Sequence, residues 1–288
     1  MNLPTSVKRS EIAPSYPVLD IHHPACTARV ALHGAHLMEW TPAGKKPVLY
    51  MSPQAIFQEG KPIRGGVPVC WPWFGPHETD ASLPGHGFVR IRFWELTDAS
   101  EDDAGVTLKL ALQDDAETRR KWPHAFRLEL EMRLGAEMHL ALRVSNTGDA
   151  PYEITGALHT YLTVGDIHRV TVEGLDGAEY LDTVGGRRDM HTQTGDVKFD
   201  REVDRNYHTS GEVRVQDAAW NRTITVRPSG SHTAVVWNPW IEKSKTFSDL
   251  PDEAYTGFVC VETANAWRDR IIVAPGAEHT LATTVRVA

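Results

Sequence analysis

The eight residues RLELEMRL, Arg127 to Leu134, alternate charged and apolar side chains without exception. In an extended chain successive side chains point to opposite faces, so Leu128, Leu130, Met132 and Leu134 share one face and the charges share the other. The segment is a half-buried strand. The same period of two recurs in VTLKLAL from Val106, MHLALRV from Met138, TITVR from Thr223 and TLATTVRVA from Thr280, with turn residues between. No window of a dozen residues carries a helical apolar stripe free of Pro or Gly. The expected fold is therefore all-β and antiparallel, a sandwich or a barrel. No fixed-period repeat, low-complexity tract or linker divides the chain, so one domain over residues 1–288 is expected.

Charge narrows the partners. Thirty basic against 38 acidic side chains give a net charge of -8, the wrong sign for a protein that neutralises a phosphate backbone. Nucleic acid is not an expected partner, and any phosphate must be held by a few local arginines. The opening MNLPTSVKRSEIAPSY has no apolar core of signal-peptide length, and nowhere do 18 apolar residues run together. No membrane partner and a cytoplasmic location are expected. Cys26, Cys70 and Cys260 are odd in number, far apart and set among apolar neighbours, which suits reduced thiols in a core.

Four stretches depart from ordinary strand sequence. In KPIRGGVPVCWPWFGPH, Lys61 to His77, two glycines allow close approach of backbone or ligand, and Arg64 offers a planar fork for phosphate or carboxylate. A glycine-kinked strand with a surface arginine is the plainer reading, and Trp71, Trp73 and Phe74 suit either a sugar-stacking floor or core. In HGFVRIRFWEL, read as a strand, alternation sends His86, Phe88, Arg90 and Arg92 to one face. Two arginines there call for an anion or for carboxylate partners. In TGALHTYLTVGDI, His159 sits in an apolar strand, on a face with Ala157 and Tyr161. In the stretch from Val235 to Asn265, Glu262 follows GFVCV, where desolvation would raise its pKa toward that of a base working near pH 7. A strand-end glutamate in water is the alternative.

A histidine and a glutamate in one cleft, with aromatic walls and no metal or nucleotide motif, suit a reaction made only of proton transfers. Sugar anomerisation is one: a group protonates the ring oxygen, another takes the anomeric hydroxyl proton, the ring opens, C1 rotates and closure swaps the roles. The segments RGGVPVCWPWFG, HGFVR, ALHTYL, VDRNY around Asp204, and VVWNPW followed by FVCVET, in that order from about residue 60 to 265, resemble the glucose-6-phosphate 1-epimerases, or hexose-6-phosphate mutarotases, of the aldose 1-epimerase superfamily. The length suits a complete member.

The resemblance implies a large antiparallel β-sandwich of the galactose mutarotase-like type, with His159 as general acid and Glu262 as general base on opposite sides of one pyranose. It also implies that Arg64 and Arg90 bind substrate at its 6-phosphate and that His86 and Asp204 contact sugar hydroxyls. Arg92 has no counterpart in the pattern, and Gly85 stands where family members can carry a polar residue before the His-Gly pair. The implied partner is a small-molecule sugar phosphate, and no cofactor is implied. His22 with His23 and His33 with His36 lack the further ligands of a metal site. The competing functions are an epimerase of unphosphorylated hexoses and a non-catalytic sugar-phosphate-binding protein.

Overall fold

A computed structural model describes residues 2–288. Strands Val7–Ala13, Tyr16–His23, Cys26–Ala31 and His36–Pro42 form a meander at the start of the chain. A nine-stranded antiparallel sheet follows, with Phe126–Gly135, Met138–Asn146 and Glu278–Val287 among its central strands. An eight-stranded sheet contains Val203–His208, Thr233–Asn238, Phe258–Asn265 and the short strands Gly156–Leu158 and Val69–Cys70. Leu128, Leu130, Met132 and Leu134 are all buried, as their alternation requires. One core joins these leucines to Val236, Val259 and Val261 of the eight-stranded sheet, and to Leu19, Ile21 and Trp40 of the meander. Thr263 Oγ1 donates to Thr283 Oγ1 across the two large sheets at 3.0 Å. Among the described residues no helix is long and apolar enough to cross a membrane, and all three cysteines are free and buried.

The strands Thr233–Asn238 and Phe258–Asn265 of the eight-stranded sheet are covered on both faces, and their parity sets the site. All eight residues of Phe258–Asn265 are buried, which is why this stretch reads as a nearly continuous apolar run. Val259 and Val261 enter the sandwich core, while Phe258, Cys260, Glu262 and Ala264 take the opposite face. The neighbouring strands keep step: Ala234 and Val236 point into the core, Val235 and Trp237 outward; Val203 and Tyr207 point in, Asp204 and Asn206 outward. Each buried valine contributes about 1.5–3 kcal/mol, and a one-residue slip would exchange the two sets. The valines thus hold Glu262 on the outer face.

Two segments differ from their expected form. HGFVRIRFWEL is not a strand: His86 and Gly87 have φ of 62° and 71°, Val89–Ile91 is a 3-10 turn, and regular strand begins only at Glu95. The chain turns tightly under Trp71, whose carbonyl accepts from Phe88 N at 3.1 Å, and the Trp94 indole donates to Val89 O at 3.0 Å. Alternation fails here, so Arg92 leaves the face of His86 and Arg90 and pairs with Asp115 and Glu117 at the start of helix Ala116–Lys121. ALHTYL is likewise broken at His159, between strands Gly156–Leu158 and Tyr161–Thr163. His159 N and Tyr161 N donate to Pro68 O and Gly66 O at 3.0 and 2.9 Å, away from the regular ladder.

Candidate active site

The outer face of the eight-stranded sheet floors a cavity of about 890 Å³, and Arg64, His86, Arg90, His159, Asp204 and Glu262 all line it. The structure thus brings together all six residues singled out from the sequence. His159 reaches in from the strand break and Glu262 from the middle of Phe258–Asn265, a hundred residues further on. Their Nδ1 and Oε1 atoms lie 3.3 Å apart, with side chains 10% and 1% exposed. Neither His159 Nδ1 nor Glu262 Oε2 has a hydrogen-bond partner. Burial holds the imidazole well below its ordinary pKa, helped by the neighbouring His86, Arg90 and Arg64. Burial, with Asp204 nearby, holds the Glu262 carboxyl well above the carboxylate range against the pull of Arg90. Two buried titratable groups with atoms left unpartnered cost stability, a feature typical of reactive sites.

The spacing corrects one expectation. A pyranose does not fit between atoms 3.3 Å apart, so His159 and Glu262 do not stand on opposite sides of one ring, as the resemblance implies. They stand side by side. That arrangement suits anomerisation, because the ring oxygen and the anomeric hydroxyl are both bonded to C1 and one pair of adjacent groups can serve both.

His86 is placed by its left-handed backbone and by Gly75, whose N–H donates to His86 Nδ1 at 3.2 Å. Burial, with Arg90 and Arg64 close by, pushes its pKa down to about 3. A neutral ring whose Nδ1 accepts must carry its proton on Nε2, making His86 a fixed donor; its ring centroid is 5.7 Å from that of His159. Arg90 donates from Nη2 to Gly85 O at 2.8 Å, while its buried Nε has no partner. A side chain at position 85 is not needed for this contact, since the backbone carbonyl makes it.

Arg64 is not the surface arginine of the plainer reading. Nε donates to Asp249 Oδ1 at 3.1 Å, Nη1 donates to the Tyr161 hydroxyl at 3.2 Å, and the guanidinium lies 4.4 Å from the centre of the Phe247 ring. The adjacent glycines are required by contact: a Cβ on Gly65 or Gly66 would overlap the carbonyl of Tyr50 or Leu37, and both have positive φ. Asp204, beside Thr183, is pushed up by burial and by Asp182. Sequence reasoning missed Tyr161 as a site residue, although its ring stacks on His159 at 4.9 Å and 9°. It also missed Asp249, Trp237 and Lys243, which line the same cavity; a period of two flags Trp237 as outward-facing but gives no reason to prefer it over core. Of the aromatic trio, Trp71 belongs to the core alone, Trp73 packs in the core and also lines the cavity, and Phe74 meets the His86 ring edge there.

His33 and His36 are held in structural hydrogen bonds. His33 Nδ1 bonds the Tyr16 hydroxyl at 2.8 Å and its Nε2 accepts from Gly60 N, while His36 Nε2 bonds Gly65 O at 2.9 Å. Burial pushes them down to about 4 and about 3.

The "Aldose 1-epimerase" family model matches residues 17–286. An Escherichia coli K12 relative named "Putative glucose-6-phosphate 1-epimerase" is 40% identical over 269 residues, 93% of this chain and 89% of the relative. The crystal structure of YeaD from Salmonella typhimurium superposes with a TM-score of 0.93 at 36% identity, over 100% of this chain and 95% of that one. A galactose mutarotase-like protein from Lactobacillus casei shares the fold at 16% identity, with a TM-score of 0.75 over 94% of this chain and 100% of that one. The protein with this cavity belongs to the aldose 1-epimerase family.

Proposed function

We propose that the protein interconverts the α and β anomers of an aldohexose 6-phosphate such as glucose 6-phosphate. The observation that carries this reading is the buried, unpartnered pair His159 and Glu262 at 3.3 Å, with His86, Arg90 and Arg64 beside it. The curated name of the Escherichia coli relative supports the choice of a phosphorylated sugar. His159 acts as general acid toward the ring oxygen and Glu262 as general base toward the anomeric hydroxyl. As the C1–O5 bond breaks, O5 takes the proton from His159, Glu262 takes the proton of O1, and C1 becomes an aldehyde carbon. Rotation about C1–C2 presents the other carbonyl face, and closure returns both protons. His86 Nε2–H donates to the sugar, and Asp204 accepts from a hydroxyl. The test is exchange NMR between the anomers of glucose 6-phosphate: exchange faster than in buffer alone is expected, and an unchanged rate overturns the reading.

The pair needs one proton between its members; the depressed imidazole and raised carboxyl keep it mostly on Glu262, and reaction runs through the minor form in which His159 carries it and Glu262 is ionised. A second proton, added as pH falls below the depressed pKa of His159, neutralises the base; loss of the last, as pH rises above the raised pKa of Glu262, removes the acid. Because burial pushes the two apart in these directions, a bell-shaped profile of kcat/KM is expected, with its acid limb below the ordinary histidine value of about 6.5. An acid limb at or above that value would show that the imidazole titrates as if exposed.

Arg64 and Arg90 supply the charge for the 6-phosphate. A charge-assisted bond contributes roughly 1.5–3 kcal/mol, so Arg64→Met is expected to weaken kcat/KM for glucose 6-phosphate by about ten- to a hundredfold and to leave free glucose nearly unchanged. The second reading, an epimerase of unphosphorylated hexoses, draws on the existing pairing of Arg64 with Asp249. Equal losses on the two sugars would favour it.

A further inference from the structure

Cys260 has no part in the proton transfers, yet it lies two residues before Glu262 on the same face of its strand and is wholly buried. A nitrogen of His159, the thiol of Cys260 and a carboxylate oxygen of Glu262 lie within 4.8 Å of one another. His159 Nδ1 and Glu262 Oε2 are buried and unpartnered, and both residues line the cavity. The 3.3 Å between His159 Nδ1 and Glu262 Oε1 equals one edge of a tetrahedron around zinc, since metal–ligand bonds of about 2.0–2.1 Å put neighbouring N and O ligands about 3.3 Å apart. One nitrogen, one sulfur and one oxygen make a borderline-soft donor set, which selects zinc-like ions over magnesium or calcium.

We propose that His159, Cys260 and Glu262 form a site for a thiophilic divalent cation of the zinc class, and that the cation and the sugar exclude each other. Binding forms metal bonds to the His159 nitrogen, the Cys260 sulfur and the Glu262 carboxylate. The thiol proton and the one proton held by the His159–Glu262 pair are both released to solvent, and the fourth position opens toward the cavity. Nothing is oxidised or reduced. The ion occupies the lone pairs through which the proposed acid and base exchange protons, so it is an inhibitor. The inhibition rests on the reading under Proposed function; the binding does not.

Two measurements separate them. Cobalt(II), added to chelator-treated full-length protein without sugar, is expected to give the thiolate-to-cobalt charge-transfer absorption, and glucose 6-phosphate to diminish it. Cys260→Ala is expected to lose that absorption, with Cys260→Ser as the alternative should the alanine variant fold poorly. In the anomer-exchange assay, micromolar zinc is expected to slow the wild-type enzyme by roughly tenfold or more, with recovery on adding EDTA; magnesium at the same concentration has no effect. Losing even an outer-shell partner of a ligand typically costs a metal site about 10- to 100-fold, so without the ligand itself the Cys260 variant keeps its rate and needs at least that much more zinc for the same inhibition. Absence of thiolate absorption in the wild type, or equal zinc sensitivity in wild type and both variants, overturns the metal site. Absorption present with no anomer exchange in any form overturns the proposed function and leaves the site standing.

Discussion

Glu262→Gln is expected to slow anomer exchange of glucose 6-phosphate by about 10²–10⁴-fold, the usual contribution of one positioned proton transfer, while the protein stays folded. Glutamine nearly matches the carboxyl in shape, so the packing of Phe258–Asn265 against Thr233–Asn238 survives. The amide cannot take the proton of the anomeric hydroxyl. Stability should not fall with the activity and can rise at alkaline pH. Burial raises the folded-state pKa of Glu262, so between its unfolded and folded pKa values the native state binds more protons than the unfolded chain, and stability drops as pH rises through that window. The neutral amide removes this dependence. The checks are exchange NMR for the rate and urea denaturation at acid and alkaline pH for the stability. Wild-type exchange in a folded Glu262→Gln protein would remove Glu262 from the mechanism.

Gly87→Ala is expected to cost about 3 kcal/mol or more of folding stability. Gly87 has φ of 71°, and a Cβ there would overlap the carbonyl oxygen of Trp71 and crowd Pro72 N. Left-handed backbone alone costs an alanine roughly 1–2 kcal/mol; the overlap with backbone adds to it, because neither partner can swing aside. Gly44 is the control. It has the same φ of 71° but nothing within 4 Å of its would-be Cβ, so Gly44→Ala should show the conformational cost alone. Denaturant midpoints of the two variants measure the difference, and equal shifts would mean that close approach at Trp71 contributes nothing. Gly87 also separates His86 from Phe88, so a Gly87→Ala variant that does fold should bind sugar less well through a displaced His86.

Much of the scaffold can be read from residue types alone. RLELEMRL and MHLALRV are strands because no other regular structure buries their leucines together, and they lie in the nine-stranded sheet as that pattern requires. Glu262 was visible for the same reason, as a carboxylate in a run otherwise apolar on both faces. HGFVRIRFWEL misleads because its alternation is accidental: a 3-10 turn and two left-handed residues place His86 and Arg90 at the cavity and send Arg92 to the acidic start of helix Ala116–Lys121. Tyr161 and Asp249 stayed hidden, since a tyrosine after a histidine and an aspartate in a loop carry no local mark of the arginine they hold in place.

By itself the sequence determined the all-β class, the buried strands, the negative surface and the candidate acid, base and cations, because periodicity, charge and residue chemistry are local properties. Only the tertiary structure decided that His159 and Glu262, 3.3 Å apart, stand side by side, that Arg64 is braced by Asp249 and Tyr161, and that Cys260 completes a set of three donors. Each depends on which strands become neighbours and in what register, and that is fixed by the packing of the whole core.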